Sequence, residues 1–237
     1  MESCSHKCEN YFGRKGTHSL IFSQKSTKSK IYQNEIEMEF KDAHHLILNN
    51  VSRFIELTDL EKRRFISLLK EVRVKKKDFL LQEGDVAKYE YFITKGCVKA
   101  YTLDMAGTQH ISMFGIEDYW TTDMASFISR EPSVSFIEAL EDTELLAISR
   151  TNYELLFKEI PQFEKFYRIL YQRSLMNYIL RTNHGISLTA EERYLRFKEK
   201  YPQIVKRIKQ KDLAAYIGVT PEFMSMIKAK IKKRSAT

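Results

Sequence analysis

Hydrophobic and polar residues follow several different rhythms along the chain, and each predicts a different element. Residues 1–45 follow none. The Ser/Lys-rich run over 23–30 has little to bury, which predicts a flexible N-terminal extension. Thr58, with Glu61 three residues later, forms a capping box. It opens a helix expected to carry Leu60, Phe65, Leu68, Leu69 and Val72. From Val72 the period shortens. Segments 79–85, 89–93, 97–103 and 109–114 are rich in aromatic and β-branched residues, with turn signals at Gly84, Gly96, Gly107 and Gly115. Segments 133–140 and 143–148 add further strands. Short strands between regularly spaced turns predict a compact antiparallel barrel or sandwich. The tetrad Asp104-Met105-Ala106-Gly107 suits a hairpin turn.

The helical rhythm then returns. Thr151 is placed to cap a helix running to about Ile160, and Pro161 opens a longer one to about Arg181, ended by Asn183-His184-Gly185. On this longer helix Phe163, Phe166, Ile169, Leu170, Met176, Ile179 and Leu180 make more than one apolar stripe. Such a helix packs between two bodies, here the barrel and a second copy of itself; a single broad core face is the other reading. Thr189 and Glu192 form a second capping box, and Tyr194, Leu195 and Phe197 supply a core behind it.

The last patterned stretch, 209–231, reads as helix, tight turn, helix. Leu213, Ala214 and Ile217 give the first helix a narrow apolar face, and Gly218 accepts the left-handed conformation at its end. Thr220 suits an N-cap, and Pro221 the first helical position. Met224, Ile227 and Ile231 face inward, which leaves Glu222, Ser225, Met226, Ala229 and Lys233 outward. This is the helix-turn-helix pattern, whose second helix enters the DNA major groove. An ordinary αα-hairpin fits the same residues.

Charge favours the first of those readings. The 237 residues carry a net charge of +8, unevenly placed. Residues 203–237 hold nine Lys or Arg against two acids, whereas 104–164 hold three against twelve. A basic module on an acidic body fits a polyanion-binding end. No run of eighteen apolar residues marks a membrane span, and the N-terminus lacks the apolar core of a signal peptide. Three cysteines point to a reducing cytoplasm rather than a disulfide framework. Cys4 and Cys8 lack the second pair a metal site needs, and the six histidines form no catalytic constellation, so neither metal nor enzyme chemistry is expected.

Residues 80–85, then 91–101 with Gly96, and Gly107, resemble the β-roll of the cyclic-AMP receptor/FNR (Crp/Fnr) family of bacterial transcription regulators. The order also matches: β-roll, long helix, helix-turn-helix. Segments 132–142, Glu192-Arg193-Tyr194 and Tyr201-Pro202 are similar to the branch common in Bacteroidetes-type bacteria. The resemblance implies an α+β chain: a flexible extension over 1–45, a cyclic-nucleotide-binding-like β-roll (a jelly roll) over 46–150, a connecting dimer helix over 151–183, and a DNA-binding helix-turn-helix domain over 184–237. It implies a homodimer through 161–181 that binds double-stranded DNA. A module of the same fold that has lost sequence-specific DNA binding is the alternative.

The implied effector pocket falls on Trp120, Thr121, Thr122, Asp123, Ser133 and Val134. Cyclic-nucleotide binders of the family use a Gly-Glu segment and an Arg-Ser pair there. Here the arginine is missing, Arg130 lies too early, and Asp123 repels a phosphate. Cyclic-nucleotide binding in the usual way is therefore not expected, and the effector is an unidentified small ligand or none. Tyr119, Trp120, Phe127 and Phe136 either line an apolar pocket or form core. Cys4, Cys8 and Cys97 are too few for the FNR-type iron–sulfur cluster. The implied DNA contacts are Lys211, Thr220, Pro221, Glu222, Ser225, Met226, Lys228 and Lys233, with Lys230, Lys232 and Arg234 also available for phosphates. Met226 stands where the family usually places a base-reading arginine.

Overall fold

A computed structural model describes residues 41–234. Two helices, α1 (Asp42–Ser52) and α2 (Asp59–Ser67), lead into eight strands: β1 (Leu69–Val74), β2 (Phe79–Leu81), β3 (Tyr89–Lys95), β4 (Val98–Leu103), β5 (Gln109–Gly115), β6 (Trp120–Thr121), β7 (Phe136–Ala139) and β8 (Thr143–Ser149). The short α3 (Met124–Ser129) sits between β6 and β7. The strands form two four-stranded sheets, in the orders β1-β8-β3-β6 and β2-β7-β4-β5, every pair antiparallel.

Turn chemistry sets this roll. The Asp104 carboxylate accepts from Ala106 N and Thr108 N and folds the β4–β5 hairpin. Gly96 turns β3 into β4 at φ +109°, where a Cβ would lie 2.4 Å from Thr143 Oγ1, so no larger residue fits. Gly115, expected at a turn, instead ends β5.

The capping box at Thr58 forms as expected: Thr58 Oγ1 accepts from Glu61 N, and Glu61 accepts from Thr58 N at 2.7 Å. The helix it opens is shorter than its apolar spacing implied. Leu69 and Val72 lie in β1, paired with Ile148 and Leu145, and Leu60 is exposed. Helix α1 begins inside the segment expected to be extension. Cys4 and Cys8 fall outside the described residues.

Behind the roll come α4 (Arg150–Glu159) and α5 (Gln162–Ser187). Ser149, not Thr151, caps α4 by accepting from Asn152 N. Helix α5 runs through the Asn183-His184-Gly185 stop to Ser187. Its first turns are core: Phe163, Phe166 and Tyr167 are buried. Its later apolar residues, Leu175, Met176, Tyr178, Ile179, Leu180 and Ile186, are exposed.

Four helices complete the described residues: α6 (Ala190–Lys200), α7 (Pro202–Arg207), α8 (Gln210–Ile217) and α9 (Pro221–Arg234). The Thr189/Glu192 box forms, and α7 is an additional helix that the sequence pattern did not mark. The described residues from Asp42 onward make one compact unit. One core runs through both halves: Tyr101, Ile111 and Phe114 of the roll pack with Phe197, Leu213, Ile217 and Met224. The α8 helix lies against β5.

Candidate nucleic-acid interface and regulatory pocket

The turn between α8 and α9 is built by three residues. Gly218 ends α8 in the left-handed conformation at φ +81°, with its N–H on Ala214 O. Thr220 Oγ1 accepts from Phe223 N, and Pro221 starts α9. Met224 and Ile227 are buried on the shared core, which fixes the rotation of α9 about its axis. Thr220, Pro221, Glu222, Ser225, Met226 and Lys233 are left exposed, as is Lys211 on α8.

Gln210, absent from the sequence-predicted contacts, ties part of this surface together. Its Nε2 donates to Ser225 Oγ at 2.6 Å and to Pro221 O, and its Oε1 accepts from Lys228 Nζ at 3.3 Å. Lys228 is partly buried over the Tyr194 ring. Lys233 lies at the far end of α9 from this network. Two of the expected phosphate cations are engaged elsewhere: Lys230 and Arg234 each reach Glu191 at 2.6 Å.

The effector residues implied by sequence do not gather around one cavity. A cavity of about 250 Å³ lies in the roll, its lining including Leu81, Asp85, Lys88, Tyr91, Thr122 and Ile137. Thr122 is the one of the six residues that reaches it. Trp120 is set among Phe92, Phe166 and Tyr167, and its Nε1 donates to Asn50 Oδ1 at 3.0 Å. Thr121 is buried, and Val134 is exposed. Asp123 is the N-cap of α3, accepting from Ala125 N and Ser126 N. Its other oxygen accepts from the buried Ser133 hydroxyl at 2.5 Å. The backbone donors that could meet an anion here already hold a carboxylate. Arg130 points elsewhere, 3.6 Å from Glu154.

Charged groups that sequence reading missed lie between the roll and the C-terminal helices. Lys99 Nζ is buried and meets Gln109 Oε1 at 2.9 Å, Asp212 Oδ1 at 3.1 Å and Glu138 Oε2 at 3.3 Å. Arg207 pairs with Glu117 at 2.6 Å and with Glu141. These hydrogen-bonded carboxylates, Glu117 first, raise the guanidinium's pKa further. Arg181 donates to the carbonyls of Ile111, Ser112 and Tyr216 and covers the Tyr216 ring at 4.2 Å. The available signal was Lys99 itself, a cation inside the run Cys97-Val98-Lys99-Ala100-Tyr101.

A second buried titratable group sits on the opposite sheet. In β3, Tyr89 and Tyr91 face the cavity while Glu90 faces α5. Glu90 is 2% exposed, and burial pushes its carboxyl up to about 8. Tyr171 donates to it at 3.5 Å and meets the Tyr153 hydroxyl at 3.3 Å, and the buried Tyr167 hydroxyl lies beside it.

Residues 71–159 match the cyclic nucleotide-binding domain family. The chain resembles the solved structure of the c-di-GMP-responsive global regulator CLP of Xanthomonas campestris at TM-score 0.60 and 16% identity, covering 75% of this chain and 93% of that one. It resembles FixK2 of Bradyrhizobium japonicum at TM-score 0.63 and 19% identity, covering 70% and 86%. A CooA mutant of Carboxydothermus hydrogenoformans gives 0.56 and 18%, covering 77% and 87%. No curated protein sequence matches the chain. The molecule therefore has a β-roll that matches the cyclic nucleotide-binding domain family, with flanking helices, in an α+β fold shared with solved Crp/Fnr-family structures. Among the described residues no helix is long and apolar enough to cross a membrane.

Proposed function

We propose that this chain is a transcription regulator of the Crp/Fnr family, of the Bacteroidetes-type branch, that binds double-stranded DNA as a homodimer. The observation that carries the reading is α9. Its inner face is locked on the core by Met224 and Ile227, while its outer face is exposed along its length beside a basic C-terminal end. Residues 184–237 are the DNA-binding domain, residues 46–150 the regulatory roll, and residues 161–181, at the start of α5 and along it, the dimer contact. The exposed apolar residues of α5 support that last assignment.

In this reading the roll does not take a cyclic nucleotide in the usual way. Asp123 already fills the backbone donors at the start of α3, and the phosphate of an incoming nucleotide would meet its carboxylate. The nearby cavity, at about 250 Å³, lies below the roughly 300 Å³ where ligand pockets begin. The effector is accordingly a small ligand of another kind, or there is none. Family-type contacts through Lys211, Thr220, Pro221, Glu222, Ser225, Met226, Lys228 and Lys233 would hold the duplex.

The test is a comparison of two duplexes at one salt concentration. The purified chain is expected to retard DNA from its own promoter region better than unrelated DNA of equal length, with affinity falling as salt rises. Equal retardation of both would sink the claim of a specific regulator and leave a module of this fold without sequence reading.

A further inference from the structure

We infer that each half-site of this chain's operator is read, under the middle of α9, through thymine methyl groups rather than through guanine edges; the inference rests on the DNA-binding function proposed above.

Helix α9 makes 3.6 residues per turn, so residues 222, 226, 229 and 233 form one row. That row lies opposite Met224, Ile227 and Ile231, the residues turned to the core. The row reads Glu222, Met226, Ala229, Lys233, and all four are exposed. Its middle is apolar: Met226 is 66% exposed, and Ala229 follows one turn on. A single exposed methionine is ordinary on a surface. What gives this one meaning is that several of the polar side chains around it are hydrogen-bonded within the protein.

The Ser225 hydroxyl donates to Pro221 O and accepts from Gln210. Lys228 reaches Gln210, and Lys230 reaches Glu191. The guanidinium of Arg234, the arginine of α9, also sits on Glu191. Glu222 is an acceptor.

In the major groove guanine offers the acceptors O6 and N7, which need donors, whereas thymine offers a methyl group beside O4. A guanine under Met226 and Ala229 would be desolvated with its acceptors unpaired, at a cost. A thymine there buries its methyl against the flexible thioether.

The experiment uses the full chain. Random duplexes are enriched for binding at fixed salt, and the selected site is measured by fluorescence anisotropy with thymine, then with uracil at single positions. Uracil keeps every hydrogen-bonding group and lacks only the methyl. At the one or two positions per half-site under Met226 and Ala229, uracil should weaken binding about fourfold per methyl. In Met226→Ala, whose altered side chain is exposed and outside the core, the uracil penalty at the Met226 position should vanish while overall affinity falls by a similar factor. In Met226→Arg, enrichment should move to guanine at that position.

A guanine-dependent wild-type site, or a uracil penalty unchanged in Met226→Ala, overturns the thymine reading alone. A pool with no enrichment overturns the regulator reading itself, and this inference with it.

Discussion

Lys99 and Asp212 are buried charges from different halves of the molecule, and their surroundings are unequal. The ammonium has three oxygen partners, from Asp212, Glu138 and Gln109. The Asp212 carboxylate meets the ammonium at 3.1 Å at the buried start of α8. Removing one member of a buried pair is costly because the other charge is left in low dielectric. Here the cost depends on which member goes. Lys99→Met strands Asp212 and Glu138 together and should cost about 3 kcal/mol in urea unfolding. Asp212→Ala leaves the ammonium with Glu138 and Gln109 and should cost less than half of that. Equal losses would show that Glu138 does not compensate.

At the scale of elements, the contact between β3 and α5 has a pH dependence of definite sign. Glu90 faces Tyr167 and Tyr171 from α5 and Tyr153 from α4, and its folded carboxyl is raised from an ordinary 4.5 to about 8. The folded state therefore holds a proton that the unfolded chain releases near 4.5. Its stability contribution is full below that value and is lost as pH rises towards about 8. Glu90→Gln, an amide of nearly the same shape, should flatten the fall of Tm between about pH 5 and pH 8 and melt above the parent at the upper end. A parent Tm that does not fall over that window would show that Glu90 is not held protonated.

The same scale separates what the sequence made legible from what it did not. Elements stopped or started by local chemistry were readable: the boxes at Thr58 and Thr189, the Asp104 hairpin, the Gly218 turn. Elements settled by distant partners were not. Phe65, Leu68, Leu69 and Val72 satisfy a helical spacing, yet β8, far along the chain, draws Leu69 and Val72 into a sheet. Helix α5 passes through Gly185 because its backbone continues hydrogen-bonded to Ser187, despite a residue that costs about 1 kcal/mol in a helix interior. Asp123 was readable as a charge, but its hydrogen bonds to α3 and Ser133 were not. Lys99 was hidden because β4 looks half-exposed until α8 covers its outer side.

For the whole molecule, α5 carries the proposed dimer. Its 26 residues span about 39 Å, and its two halves differ. Phe163, Phe166 and Tyr167 anchor the first half in the roll, while Arg181 holds the second half to β5 through the carbonyls of Ile111 and Ser112. Between and beyond these anchors Leu175 is 58% exposed, Ile179 48% and Ile186 83%. Leu175 and Ile179 lie one turn apart, and Ile186 returns to the same side two turns later, a spacing that forms a helix–helix seam. A second copy related by a two-fold axis would bury this row and set two α9 helices side by side for a palindrome. Leu175→Lys with Ile179→Lys places two charges in that seam without touching the core of either half. Sedimentation should then move from twice the chain mass to the single chain mass, with the melting curve of the roll preserved. Binding to a full palindrome should fall to the level of an isolated half-site, because one α9 then acts alone. If the double variant sediments at twice the chain mass, the dimer is held by some other surface and α5 is only a connector.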